Sequence, residues 1–327
     1  MLACAGAVPA GNPGIAGTFI QLNRSVATNS VDTWKADLAK MRAVGINTLI
    51  VQWSVEKPVA YFRTNSLPCA EQYDTIKRLF EAVHGSGMTV YLGLENDPDY
   101  WTQIKSRDRV LRDYFLLRVA ANEQVQKGLL AAFELMPEWV GYYIPDEVDD
   151  LSWRHPSKQG FIQGYLSLMT RRLKANDPKR AVAVSAFFRG RTAPDIFGRN
   201  LVDLTTRTDP HVDIVLVQDG VGVGDPPDRY VPTYLKTLRE MWPPKGPQFW
   251  VVVEAFRQTS SANAPFAAEP ASPERLAGQI ESAGACADRS ILFTFNDYAH
   301  PGRGAAAAAL YKSLLDRAGG VRPSLRQ

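Results

Sequence analysis

The segment GYYIPDEVDD, residues 141–150, runs from Tyr, Tyr and Ile straight into four carboxylates within five residues. Acids at the end of a buried strand are costly unless they are solvated or used. Another acid, Glu254, lies inside the apolar run FWVVVEAF at 249–256 rather than beyond it. A carboxylate there must face a polar pocket or pair with a cation such as Arg189, because desolvating it alone costs several kcal/mol. Acids so placed can transfer protons, bind a polar ligand or ligate a hard cation.

Eight short runs rich in β-branched and aromatic residues could carry these side chains. They are 17–22, 47–53, 89–96, 139–147, 181–188, 213–220, 249–256 and 290–298. Their nearly continuous apolar character is that of strands covered on both faces. Helical patterns follow each run, at 32–44, 71–84, 108–136, 158–176, 193–207, 231–242, 273–285 and 304–317. Ser157 is read as the cap of the fourth helix. Ser272-Pro273-Glu274 supplies a cap, a first-turn proline and a first-turn acid for the seventh.

Strict βα alternation repeated eight times predicts an α/β fold, a single (β/α)₈ barrel over residues 17–320, with a leader at 1–16 and a tail at 321–327. An open doubly wound sheet is the other arrangement with this alternation. It wants a glycine-rich first turn, and the turn here, NRSVATNS, has no glycine. No cofactor is expected. Segments 54–70, 221–231 and 257–272 are read as long loops on the side where such barrels build their sites.

Polar residues at the strand ends then become candidate site residues. They are Gln21, Gln52, Glu95, Asp146, Glu147, Arg189, Gln218, Asp219, Glu254, Asn296 and Asp297. Trp53, Trp101, Trp153 and Tyr298 fall near the same ends, where flat rings can stack on the apolar faces of sugars. Trp34, Trp139, Trp242 and Trp250 fall on helices or inside strands and are read as core.

The pattern of a Glu ending strand four and another ending strand seven resembles the large retaining glycoside hydrolase clan of (β/α)₈ barrels. Within it, GTFIQL, MRAVGINTLIVQW, GYYIPDE and VVVEAF look like an uncharacterised bacterial domain family related to those enzymes. The resemblance covers nearly the whole of 17–317. It implies cleavage of a glycosidic bond in a polysaccharide or oligosaccharide. Glu147 would be the general acid/base and Glu254 the nucleophile; Gln21, Gln52, Trp53, Glu95, Trp101, Asp146, Trp153, Gln218, Asp219, Asn296, Asp297 and Tyr298 would touch substrate. Two carboxyls flanking the bond split their proton affinities, one staying protonated for the leaving oxygen while the other attacks. The chain departs from the clan at three places. Asp146 stands where Asn usually precedes the acid/base, Gln52-Trp53 where strand two often has Arg, and Asn296-Asp297-Tyr298 where Trp commonly ends strand eight. These changes leave room for Asp146 as the acid, or for a barrel that binds glycans or serves exopolysaccharide assembly without cutting.

Composition limits the alternatives. Net charge is +3 with 37 basic and 34 acidic residues and no block of like charge, so no nucleic-acid partner is expected. No apolar run approaches the ~18–20 residues of a membrane span. The four histidines, at 84, 155, 211 and 300, form no HxH or HExxH pattern, so no metal site is expected. Glu95, Asp219 and Asp297 are the oxygen ligands a metal-dependent barrel would have to use. Cys69 and Cys286 fall at opposite ends of a barrel and should not be bonded to each other. Met-Leu-Ala-Cys at the start is similar to the end of a bacterial lipoprotein signal, with Cys4 as the lipid-carrying residue; export is the expectation that follows.

Overall fold

The computed structural model describes residues 14–207, 209–261 and 264–320. Cys4 and the leader through residue 13 lie outside the described residues, as does the tail. Eight parallel strands close into a barrel: β1 (Gly17–Ile20), β2 (Thr48–Val51), β3 (Thr89–Gly93), β4 (Trp139–Asp149), β5 (Ala181–Phe187), β6 (Ile214–Gln218), β7 (Gln248–Glu254) and β8 (Arg289–Phe293). They run in chain order, and β1 pairs with β8 to close the ring. The single (β/α)₈ barrel is therefore the fold.

The helices are α1 (Val31–Ala43), α2 (Thr75–Val83), α3 (Asp108–Phe133), α4 (Pro156–Asn176), α5 (Pro194–Thr206), α6 (Val231–Met241), α7 (Pro273–Gly284) and α8 (Ala305–Gly320). Ser272 caps α7 as the sequence suggested, its Oγ accepting the Arg275 N–H at 3.2 Å. The cap of α4 is His155 rather than Ser157, because Pro156 already occupies the first turn and the imidazole accepts the Ser157 N–H.

Side-chain alternation divides the interior into two cores. Phe19, Ile50, Tyr91, Tyr143, Leu216 and Trp250 point into the barrel with their even-spaced neighbours, forming the packed layers of its lumen. The intervening residues, such as Leu49, Leu92, Tyr142, Val215 and Val251, pack outward against the helices.

The long loops carry more order than their composition suggests. Val55–Glu56, Val59–Ala60, Glu71–Gln72 and Glu95–Asn96 form a small four-stranded sheet over one side of the mouth. This pairing delays α2 to Thr75. After β7, Phe256–Gln258 and Ala268–Pro270 make an antiparallel ribbon. The eighth strand stops at Phe293, and Phe295–Ala299 is a single π-type turn. Asn296, Asp297 and Tyr298 thus belong to a helical turn rather than a strand end. Thr294 holds that turn by accepting the Asp297 N–H and donating to Oδ2 of Asp297 at 2.6 Å. Cys69 is a free thiol, so it is not bonded to Cys286.

Candidate active site

Glu147 reaches the lumen through an irregularity in β4. Ile144 pairs with Val184 of β5 and Val148 with Ala186, so Pro145, Asp146 and Glu147 stand opposite Ser185 alone. Such a bulge bends the strand and re-aims its side chains, a device common beside active sites. Glu147 turns inward above Tyr143, and Asp146 turns outward beneath the helices. Gln218, the last inward residue of β6, donates from Nε2 to Oε1 of Glu147 at 2.6 Å. Tyr100, on the short helix Tyr100–Gln103, donates its hydroxyl to the Glu147 carbonyl at 2.6 Å and ties the bulge to the β3 loop.

Glu254 follows Trp250 and Val252 on the inward register of β7 and is 5% exposed. Its Oε2 accepts the backbone N–H groups of Gly222 at 2.6 Å and Val223 at 3.3 Å. Its polar partners are thus main-chain donors rather than the Arg189 guanidinium. A Cβ on residue 222 would sit 2.7 Å from Oε2 of Glu254 and 2.8 Å from the Phe256 carbonyl oxygen, so only glycine lets the β6 loop approach this closely.

Glu147, Gln218 and Glu254 line one open cleft of about 610 Å³ at the C-terminal mouth of the barrel. Trp101 and Phe187 form an aromatic wall, their rings edge-to-face at 5.5 Å. The rest of the lining comes from Arg189, Gly220, Val223, Asp225, Gln258 and Ser260. Burial pushes the Glu147 carboxyl up to about 7, with the Gln218 hydrogen bond opposing and the Asp146 and Asp149 charges adding. Burial raises Glu254 as well, and the nearby Asp219 adds to the shift.

Asp219 lies behind Glu254, on the outward register of β6. Its Oδ2 accepts from Gln279 Nε2 of α7 at 2.6 Å, and its Oδ1 accepts the Glu254 N–H at 3.4 Å. Burial raises Asp219 to about 6 and, with the Asp219 charge adding, Glu254 to about 8. The Arg275 guanidinium acts on both in the opposite direction while donating to the Phe256 carbonyl.

Other sequence-derived candidates are placed away from the cleft lining. Asp146, 1% exposed, is held by Arg118 Nη2 of α3 at 3.1 Å and by the Tyr165 hydroxyl of α4. Arg118 also donates to Glu95 Oε1 at 3.0 Å, and Lys57 meets Glu95 Oε2 at 3.0 Å. Trp153, 1% exposed, packs on Phe115 in the outer core. Trp53 donates its indole N–H to the Leu22 carbonyl. Gln21 and Gln52 end β1 and β2 on the inward register and bond each other at 2.8 Å. Tyr298 packs on Phe256. The trio of Glu95, Asp219 and Asp297 that a metal-dependent barrel would use is not assembled, each acid having different partners. Among the described residues no group of three or more His, Cys, Asp or Glu could hold a metal ion.

The strand ends reached Trp101, Glu147, Arg189, Gln218 and Glu254. They did not place Phe187, Asp225, Gln258 or Ser260 in the cleft. Phe187 was findable, since it shares inward parity with Ala183 and Ser185; the other three depend on loop paths.

A family model described as Domain of unknown function (DUF4434) matches residues 15–305. The chain belongs to this family. Uncharacterized protein YbcH of Escherichia coli (strain K12) is 26% identical over 261 residues, covering 80% of this chain and 82% of that protein. Among solved structures, a Bacteroides thetaiotaomicron VPI-5482 protein described as a "putative alpha-L-fucosidase" superposes with a TM-score of 0.72 at 18% identity, over 98% of this chain and 99% of that one. The beta-galactosidase of Rahnella sp. R3 gives a TM-score of 0.57 at 11% identity, over 98% of this chain and 57% of that one. At these identities the likeness is one of fold alone. Among the described residues no helix is long and apolar enough to cross a membrane.

Proposed function

We propose that this protein is a glycoside hydrolase in which Glu147 is the general acid/base and Glu254 the nucleophile. The observation that carries this reading is that the two carboxyls, from strands β4 and β7 with β5 and β6 between them, line one open aromatic-walled cleft. Glycoside hydrolysis needs such a pair on either side of the scissile bond.

The surroundings of Glu147 suit its role. Glu147, pushed up to about 7, keeps a proton for the leaving oxygen near neutral pH. The amide of Gln218 holds its other oxygen and fixes the carboxyl plane. Two backbone N–H groups cradle Oε2 of Glu254, which favours its anion and leaves Oε1 for the anomeric carbon. Trp101 supplies a flat apolar face for a sugar ring. Glu254, raised to about 8, must lose its proton before attack. After attack, Glu147 as a base would activate the water that releases the sugar.

Release of reducing ends from a panel of plant and bacterial polysaccharides tests the activity. Proton NMR of the first anomer formed tests the retaining course. Retention supports a covalent intermediate on Glu254, and inversion assigns Glu254 to water activation instead. Tight glycan binding with no turnover would give precedence to a non-catalytic glycan-binding role. Export from the cytoplasm is part of the proposal and rests on the lipoprotein-like start; fractionation of a tagged full-length protein tests it.

A further inference from the structure

We propose that the glycan bound in this cleft carries a carboxylate, as a uronic acid residue does, and that Arg189 recognises it. The inference rests on the reading of the cleft as a glycan site.

Arg189 is the cation of the cleft lining. Among the described residues its guanidinium has no carboxylate partner, whereas the neighbouring arginines are engaged. Arg118 is consumed by Glu95 and Asp146, Arg257 by Glu269, and Arg191 by Asp225. Arg275 donates to main-chain carbonyls. The position of Arg189 is nonetheless defined. Its backbone N–H donates to Oδ1 of Asp150 at 3.1 Å, and its Cζ lies 5.4 Å from the Phe187 ring centroid. Phe187 in turn meets Trp101. The charge is thus mounted on the same aromatic wall that would carry a sugar ring.

A positive group left open in a cleft with two reacting carboxyls complements a negative group on the ligand. A planar guanidinium fits a carboxylate through two parallel hydrogen bonds. The cleft also continues past Arg189. A second groove of about 580 Å³ shares Arg189 and Asp225 with the first and extends along Pro226, Pro227 and the exposed Tyr230. Arg189 therefore stands at the junction of the catalytic cleft and a further run of surface, where a polymer would cross it. A chain of uronic acid residues, rather than a single neutral sugar, fits that sequence of surfaces.

The test uses E147Q protein, so that binding is read without turnover. Oligogalacturonate and oligomannuronate are titrated calorimetrically beside their carboxyl-reduced counterparts and sulfated dextran oligosaccharides. At least one carboxylate form should bind 10-fold or more tighter than its reduced form. Arg189→Gln in the same background should collapse that preference to within about two-fold, and Arg189→Lys should retain part of it. Equal or tighter binding of the reduced forms overturns the proposal, as does a carboxylate preference that survives Arg189→Gln. Preference for sulfate over carboxylate overturns the carboxylate assignment. If neutral glycans are cleaved in a Glu147- and Glu254-dependent way without any carboxylate preference, the proposal fails while the hydrolase reading stands. If the wild type cleaves no glycan and E147Q binds none, both fail.

Discussion

Asp146 and Glu147 are adjacent in the chain and face opposite sides of the barrel wall. The first is locked onto Arg118 and Tyr165 under the helices; the second opens into the cleft beside Gln218. Strand alternation places them so: Tyr142, Ile144 and Val148 share the outward parity of Asp146, Tyr143 shares the inward parity of Glu147, and the bulge opposite Ser185 leaves that parity intact. One acid anchors the strand end, and its neighbour is free for chemistry.

That anchor has a measurable cost when broken. Arg118→Met leaves Asp146 and Glu95 buried without their shared cation. Loss of about 3–5 kcal/mol in a denaturant titration is expected, the usual penalty for stranding a buried charge. Activity per folded molecule should fall as well, because Glu147 rides on the same bulge.

The cradle of Glu254 is tested by Gly222→Ala. The added methyl meets Oε2 of Glu254 at 2.7 Å, so the carboxyl or the loop must move. A drop in kcat of roughly 10–100-fold is expected, the scale of a misplacement of about 1 Å. KM for the same substrate should change far less.

The pH profile follows from the two carboxyls. The working form has Glu147 protonated and Glu254 ionised. kcat/KM should therefore fall on the basic side as Glu147 loses its proton. Burial and the Asp219 charge raise Glu254 to about 8, so the two limbs cross and the working form is a minority species with a narrow optimum between about pH 7 and 8. Asp219→Asn removes the like charge, lowers the Glu254 pKa and moves the acid limb to lower pH. An acid limb that does not move would remove Asp219 from the account.

Stability carries the same signature. Glu147 binds its proton more tightly in the folded chain than in the unfolded one, so its contribution is present below the ordinary Glu range and lost as pH rises through about 7. E147Q should match the wild type in Tm near pH 4 and exceed it at pH 8. Two aromatic substitutions separate cleft from core. Trp101→Ala should raise KM with little change in Tm, whereas Trp153→Ala should cost about 3–5 kcal/mol through the cavity it leaves.

The barrel was legible because eight apolar runs alternate with eight helical patterns and few other folds repeat that way. Glu254 was legible because a charge inside Val-Val-Val-Glu-Ala-Phe has few places to go. Asp146 shows where the reading ran out. Proximity to a strand end was visible, and alternation with Tyr142 and Ile144 already put Asp146 on the outward face, a parity that the choice of strand-end polar residues did not use. Trp153 and Glu95 were likewise near the mouth in sequence and buried against α3 in space. The cleft residues Asp225, Gln258 and Ser260 depend on how the β6 and β7 loops pack on each other, and no periodicity encodes that.

The most direct measurement is reducing-end release from a cleaved polysaccharide by the wild type, E147Q and E254Q in parallel. Each substitution should lower kcat by on the order of 10²–10⁴-fold or more, with the fold and glycan affinity retained. Turnover by either variant within a few-fold of the wild type would contradict the assignment of the reaction to these two acids.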